Sequence, residues 1–359
     1  MSAITAFPSV RASALLSGPG LFSTGQYAST YSQAREALYW AIRELRLPPG
    51  GVVWMPAFHC GVEVQAAIDA GAPVDFYRIR PDLTVDTEDL FHRLSLRSGP
   101  VLVIHYFGFP EPAIERIAAE CRRYGAALIE DCAHALFSRS GGRELGSYGS
   151  ISVFSFRKTL PVYDGGAMKG VEGGPSIPRR APWKAPYSFA AKDVLRGTLG
   201  RGVTRFYRRI RFGADAEDYP EKRVNTVIPE DRSYDRDISV LSRRLLASVD
   251  PEEVVRRRRE NFGILSKLLA GRDLVYTEAP DGVCPLFAVV RVENRPQLLA
   301  LLAKQGVETF VFGEFAHPTL ENEMSEAHRS LRDTLFGLPI HQQLNAKDMR
   351  EIAGALQIA

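Results

Sequence analysis

The residues of this chain that could perform chemistry are concentrated in positions 128–168. A short apolar run there ends in two acids, Glu130 and Asp131. A second apolar run, residues 151–156, is followed two positions later by Lys158. Apolar runs of this length are typical of buried parallel strands, and open α/β sheets bind their ligands beyond the carboxyl ends of such strands. We therefore expect a carboxylate and an amine at the same edge of one sheet.

A carboxylate and an amine in this arrangement have a specific chemical use. A lysine amine can form a Schiff base with a carbonyl, and a carboxylate can keep a pyridine nitrogen protonated. These are the two protein groups that pyridoxal 5′-phosphate (PLP) needs most. The structural alternative is that Lys158 lies on the surface and that Asp131 caps a helix. The spacing of the two residues alone leaves both interpretations open.

The order of short motifs in the same stretch resembles the DegT/DnrJ/StrS family of PLP-dependent aminotransferases. The matching segments are EDCAHA at 130–135, the glycines of GSYG at 146–149, FSF at 154–156, Lys158, and the Gly-Gly pair at 165–166. The resemblance implies that Asp131 binds the pyridine nitrogen and that Lys158 is the Schiff-base lysine. It also implies that Ser155 contacts the cofactor phosphate.

His134 is one place where the chain departs from the family pattern, which has Gln at this position. That Gln forms a hydrogen bond near the 3′ oxygen of the cofactor, so the resemblance implies that His134 lies against the ring. Imidazole can donate one hydrogen bond, as the amide does, but it can also titrate near neutral pH. The structural alternative is a buried histidine that packs below the site.

The segment beginning at Ser32 predicts a helix with Ser32 as its N-cap. In the family this place carries Ser-Gly-Thr and binds the cofactor phosphate, and a helix N-terminus suits an anion. Here Ala34 and Arg35 replace Gly-Thr, so the hydroxyl contact is lost and Arg35 could supply positive charge instead. Arg35 could equally be a solvated helix residue.

A loop that follows the predicted strand 52–55 resembles the one that places an aromatic ring over the PLP. Counting from Pro56 puts Cys60 at the usual aromatic position. His59 and Phe58 are the other candidates for the residue that stacks on the cofactor. The structural alternative is that Phe58 belongs to the core and that His59 is an ordinary loop histidine.

The alternation of strands and helices from residue 52 to 170 predicts a mainly parallel sheet with right-handed crossovers. With the resemblance, it implies an α/β protein of PLP fold type I. We expect a large PLP-binding domain over residues 1–250 and a small α+β C-terminal domain over 251–359. In the small domain we predict strands at 274–277, 286–292 and 308–311, with Asn345 capping the last helix.

Residues 171–235 resemble the family least. A possible helix from about residue 188 to 212 carries an apolar stripe crowded by arginines. It could bind a phosphorylated substrate, lie on a membrane surface, or be a solvated helix packed on the large domain or a partner.

Bulk composition excludes several classes of protein. With 359 residues the chain is long enough for a two-domain enzyme, and its net charge of +3 is too small to argue for nucleic acid binding. The four cysteines are scattered and have no metal-ligand spacing, which suggests a reducing compartment. The sequence shows no signal peptide and no run of about 20 apolar residues. We expect a cytoplasmic protein without a metal.

The resemblance implies a transaminase that takes an amino group from an amino acid, often glutamate in the family, and passes it to a keto sugar carried on a nucleotide. It also implies a homodimer with the active site at the subunit interface. One alternative is a PLP enzyme that performs elimination, dehydration or cyclisation in natural-product synthesis. The other is a non-catalytic relative that acts as a regulator.

Overall fold

The computed structural model describes residues 4–10, 22–45, 47–170, 233–313, 317–320 and 326–357. Its strands, in chain order, are β1 Ser29–Tyr31, β2 Val53–Pro56, β3 Val74–Tyr77, β4 Val101–Ile104, β5 Leu128–Cys132, β6 Arg139–Ser140, β7 Arg143–Glu144, β8 Ile151–Ser155, β9 Gly166–Lys169, β10 Phe287–Arg291 and β11 Leu335–Pro339. Seven of them form one sheet in the order β1-β9-β8-β5-β4-β2-β3.

The central sheet is mainly parallel, as predicted. Strands β3, β2, β4, β5 and β8 pair in parallel, and only β9 runs antiparallel to its two neighbours. Strands β2, β4 and β8 are buried at every position, since helices cover the sheet. This burial explains why the sequence shows continuous apolar runs instead of alternation. The α/β prediction is confirmed.

The helices account for most of the connections between these strands. They are α1 Ala34–Glu44, α2 Val62–Asp69, α3 Thr87–Leu96, α4 Ile114–Arg123, α5 Phe156–Thr159, α6 Val240–Leu246, α7 Pro251–Leu268, α8 Arg295–Lys304, α9 Glu326–Thr334 and α10 Ala346–Gln357. Helix α4 shows the sequence logic clearly, because Ile114, Ile117 and Cys121 are buried on one face. Within the described ranges, none of the helices has the length and apolar character that crossing a bilayer requires.

The C-terminal part differs from the prediction in its strands. Strands β10 and β11 form an antiparallel pair, but the predicted strands 274–277 and 308–311 shrink to single bridges at Leu274 and Phe310. The chain bends immediately after Leu274, and the ring of Tyr276 stacks on Phe109 with centroids 3.7 Å apart. Packing of this ring therefore competes with continued strand pairing. Asn345 caps α10 as predicted, accepting hydrogen bonds from the N–H groups of residues 347 and 348.

Two predictions are not tested by these ranges. The Arg-rich helix predicted at about 188–212 lies outside the described residues. The division into domains 1–250 and 251–359 likewise stays a prediction.

Glu130 organises the middle of the sheet although it lies beside the cavity and not in it. Its buried carboxylate accepts hydrogen bonds from the backbone N–H groups of Gly146, Tyr148 and Gly149 at 2.6–2.8 Å. The fourth donor is the Nε2–H of His105 at 3.0 Å, because the Nδ1 atom of that ring accepts from the N–H of Glu111. Burial opposes ionisation of Glu130, but these donors outweigh it and lower its pKa.

We predict that Glu130→Gln lowers the unfolding free energy by about 2–4 kcal/mol at pH 7, because an amide cannot accept all four hydrogen bonds. A depressed carboxyl pKa stabilises the fold above the ordinary value of 4.5, and this contribution is lost as pH falls through the folded value. The difference in unfolding free energy between the variant and wild type should therefore become smaller in acid. Urea unfolding measured against pH checks both statements.

The exposed Glu144 provides the matched control, since it forms only a surface ion pair with Lys169 at 3.2 Å. Glu144→Gln should change the unfolding free energy by less than about 1 kcal/mol. A Glu130→Gln protein as stable as Glu144→Gln would show that the carboxylate does not organise this region.

Candidate active site

A cavity of about 180 Å³ opens at the edge of the sheet where the parallel strands end. Asp131 and His134 come from the end of β5 and the loop after it, Ser155 and Lys158 from the end of β8 and from α5, and Cys60 from the loop after β2. The remaining lining residues are Ser32, Gln33, Ala34, Arg35, Leu38, Val62, Glu63, Ile104, Ala133, Val153, Arg157, Gly165 and Phe312. The predicted carboxylate and amine thus line one cavity.

Asp131 faces this cavity from the penultimate position of β5. One carboxylate oxygen accepts a hydrogen bond from the N–H of Ala133 at 2.8 Å, which fixes the side chain. Burial raises its pKa to about 6, and the positive charge of Lys158 opposes that shift. At neutral pH the carboxylate is ionised, and a cationic ring nitrogen beside it would stabilise the charge further.

Lys158 projects from α5, which is a single helical turn. The N–H of Phe156 at the start of this turn donates to the carbonyl of Gly165 at 3.0 Å. The ammonium group lies 5.9 Å from the centroid of Phe312. Phe312 is 4% exposed and lines the cavity. Phe312 is not among the predicted site residues, because no motif marks the segment around residue 312.

His134 lies in the wall of the cavity with a definite tautomer. Its Nδ1 accepts a hydrogen bond from the N–H of Phe107 at 3.2 Å, so the ring proton is on Nε2. That buried Nε2–H has no hydrogen-bond partner among the described residues. Burial and the charge of Lys158 hold the pKa of His134 well below its usual value. This direction argues against titration of His134 near neutral pH, because burial favours the uncharged imidazole.

The N-terminus of α1 forms another side of the cavity. The N-cap is Gln33 and not Ser32 as predicted, because Ser32 uses its N–H and hydroxyl to hydrogen-bond the buried carboxylate of Glu36 at 2.9 and 2.7 Å. Ala34 and Arg35 begin the helix and line the cavity. Ser155, at the end of β8, also lines the cavity. A Cβ on Gly166 would overlap the carbonyl group of Gln33, so this glycine allows α1 to approach the sheet closely.

The loop after β2 brings Cys60 and not His59 to the cavity. The thiol of Cys60 donates to Glu63 at 2.8 Å, and burial raises the pKa of the thiol well above its usual value. The ring of His59 is fully buried against Phe76, and both of its nitrogens lack partners within the described ranges. Phe58 belongs to the core, as the structural alternative predicts. Among the described residues, Phe312 is the only phenyl ring that lines the cavity, and it comes from outside this loop.

These features of the structure fit PLP. The cavity offers a carboxylate for a ring nitrogen, an amine, an unpaired buried N–H on His134 and a helix N-terminus that suits a phosphate group. An unpaired buried donor costs stability unless a ligand or water accepts from it. His134 therefore indicates that an acceptor belongs in this cavity.

Comparison with known proteins agrees with this chemistry. Residues 21–170 match the model of the DegT/DnrJ/EryC1/StrS aminotransferase family. The GDP-perosamine synthase of Vibrio cholerae is 31% identical over 146 residues, which is 40% of each chain. A dTDP-4-dehydro-2,3,6-trideoxy-D-glucose 4-aminotransferase of Saccharopolyspora spinosa is 26% identical over 90% of this chain and 82% of its own.

A solved structure shows the same fold over the full length. PseC of Helicobacter pylori, an aminotransferase involved in the biosynthesis of pseudoaminic acid, superposes with a TM-score of 0.70 at 13% identity. The superposition covers all of this chain and 99% of PseC. Residues 21–170 therefore match the DegT/DnrJ/EryC1/StrS aminotransferase family, and the whole chain has the fold of aminotransferases such as PseC.

Proposed function

We propose that this protein transfers an amino group from an amino acid, glutamate, to a keto sugar linked to a nucleotide. The observation that carries the proposal is that Asp131 and Lys158 line one cavity together with His134, whose Nε2–H has no partner among the described residues. Intact acid and amine positions favour a catalyst over a non-catalytic relative. We further propose a cytoplasmic homodimer, in keeping with the family resemblance.

The choice of a sugar acceptor rests on the relatives. The Vibrio protein is named as a synthase of GDP-perosamine, and the Saccharopolyspora protein as an aminotransferase of a dTDP-linked dehydro sugar. Both names describe nucleotide-linked sugars. We extend this substrate class to the present chain as a hypothesis, since the cavity lining itself does not name a sugar.

When bound, PLP supplies an electron sink that makes a proton on the substrate carbon acidic. The side chains around the cavity have complementary tasks. Asp131 would accept a hydrogen bond from the pyridine N–H and stabilise its positive charge. His134 would donate its Nε2–H to the 3′ oxygen of the ring.

Lys158 would hold the cofactor through its amine and then act as the base. Once free, the amine would take the proton from the carbon of the amino donor and deliver it to the C4′ carbon of the cofactor. The ring of Phe312 lies 5.9 Å from this amine and would limit the access of water. The N-terminus of α1, with Arg35 and Ser155, would bind the phosphate and set the position of the ring.

Lys158→Ala tests the proposal directly. We expect the purified wild-type protein to absorb in the violet and to lose that band when glutamate is added without an acceptor. Lys158→Ala should lack the band and lose at least about 1000-fold in turnover, because both attachment and proton transfer need the amine. Circular dichroism should show that the variant remains folded.

The reverse half-reaction separates transamination from the alternatives. After glutamate has bleached the band, nucleotide-linked keto sugars are screened for restoring it. Restoration by a keto sugar supports the proposed acceptor. A band that no amino donor bleaches, or a Lys158→Ala protein with normal turnover, would contradict the assignment.

A pair of His134 variants tests the hydrogen bond to the cofactor. His134→Gln keeps a donor and should bind PLP with an affinity close to wild type. His134→Phe keeps the ring against Phe312 but removes the donor, so we expect its dissociation constant for PLP to rise about 5- to 10-fold. Fluorescence titration of the folded apo-proteins measures both. Equal affinities for His134→Phe and wild type would show that Nε2 does not contact the cofactor.

A further inference from the structure

Arg258 is a fully buried arginine that solvates its charge with neutral oxygens. It lies on α7, is 1% exposed, and among the described residues has no carboxylate within ion-pairing distance. Its guanidinium donates to the carbonyls of Pro285 and Leu286 at 3.3 and 3.0 Å and to Oε1 of Gln342 at 3.0 Å. The remaining bond, from Nη2, goes to the carbonyl of Thr159 at 3.0 Å.

Thr159 is the residue immediately after Lys158, and its carbonyl accepts a second hydrogen bond. The donor is the side-chain amide of Gln342, also at 3.0 Å. Two donors from the C-terminal part of the chain, on α7 and in the loop after β11, therefore meet on the last residue of α5. This contact lies outside the cavity, since neither Arg258 nor Gln342 lines it.

The short helix needs such external support. An isolated helical turn fixes several dihedral angles for one hydrogen bond and is unstable by itself. The start of α5 is held by the bond from Phe156 to Gly165, and its end by the bonds to Thr159. Without the second set, the backbone on one side of Lys158 would have more freedom.

We propose that Arg258, together with Gln342, is a positioning residue that fixes the backbone of Lys158 and so aims its amine into the cavity. The inference rests on the proposed function, because it assigns a purpose to the orientation of that amine. Burying a charged group in the core costs desolvation free energy, and well-packed apolar residues are often at least as stabilising. An arginine is suited to this place because its planar fork reaches several carbonyls at fixed angles.

The test compares Arg258→Gln with Arg259→Gln on the same helix. Arg259 also donates to backbone carbonyls, those of Pro280 and Val283, and none of its hydrogen bonds within the described ranges reaches α5. Arg258→Gln should lower kcat about 10- to 100-fold, because small misplacements of a catalytic group have effects of this size. KM should change little. The pH midpoint of the violet band should shift from that of wild type, because the Lys158 amine is no longer held in one orientation.

Gln342→Met removes the second donor to Thr159 and keeps the side-chain length. This variant should also lower kcat, but by a smaller factor than Arg258→Gln. Thermal unfolding of all three variants separates stability from positioning, and Arg259→Gln should lose stability while keeping kcat and the spectral midpoint. If Arg258→Gln does not fold, Gln342→Met alone decides.

Loss of stability in Arg258→Gln and Gln342→Met with the kcat and midpoint of Arg259→Gln would overturn the proposal. A wild-type protein that shows no violet band would instead refute the proposed function. The two failures are therefore distinguishable in the same set of measurements.

Discussion

The carboxylate of Glu130 is the constraint on which the rest of the arrangement depends. It sits at the centre of β5 and uses its two oxygens to hold the 146–149 turn and the ring of His105. The turn leads into β8, which pairs with β5 in parallel register, and His105 follows the end of β4 on the other side. One buried charge thus ties together three strands whose ends form the cavity. Because the next residue is Asp131, the same strand that is fixed through Glu130 also delivers the carboxylate that faces the cavity.

A second constraint concerns the short segment that carries Lys158. A single helical turn and the loop after it join β8 to β9. The turn makes its own hydrogen bond from Leu160 to Phe156 at 2.7 Å, and contacts on both sides support it. Further along, the buried carboxylate of Asp164 accepts two hydrogen bonds from Ser239, which attaches the segment to the start of α6. The amine is therefore held by residues far away in sequence. This arrangement suits the amine of Lys158, which must keep a fixed position relative to a bound ligand.

The sequence was sufficient to predict the central sheet and to place Asp131 and Lys158 together at one edge of it. Continuous apolar runs mark buried parallel strands, and motif order identifies the residues at their ends. It was insufficient wherever a side chain is placed by tertiary packing. The periodicity of apolar residues cannot show that His59 packs on Phe76 or that Phe312 reaches the cavity. Nor can it show that Glu36 draws Ser32 away from the N-cap position. The tautomer and low pKa of His134 likewise depend on Phe107 and on burial, which no local pattern records.

The most direct test of the account is to locate the cofactor on the chain. The protein is purified with PLP, reduced with borohydride to make the linkage permanent, digested, and its peptides are analysed by mass spectrometry. The account predicts that one pyridoxyl phosphate group is found on the peptide that contains Lys158, and that prior treatment with glutamate abolishes the labelling. Labelling at a different lysine, or a peptide map without any labelled lysine, would contradict the assignment of this cavity as the PLP site.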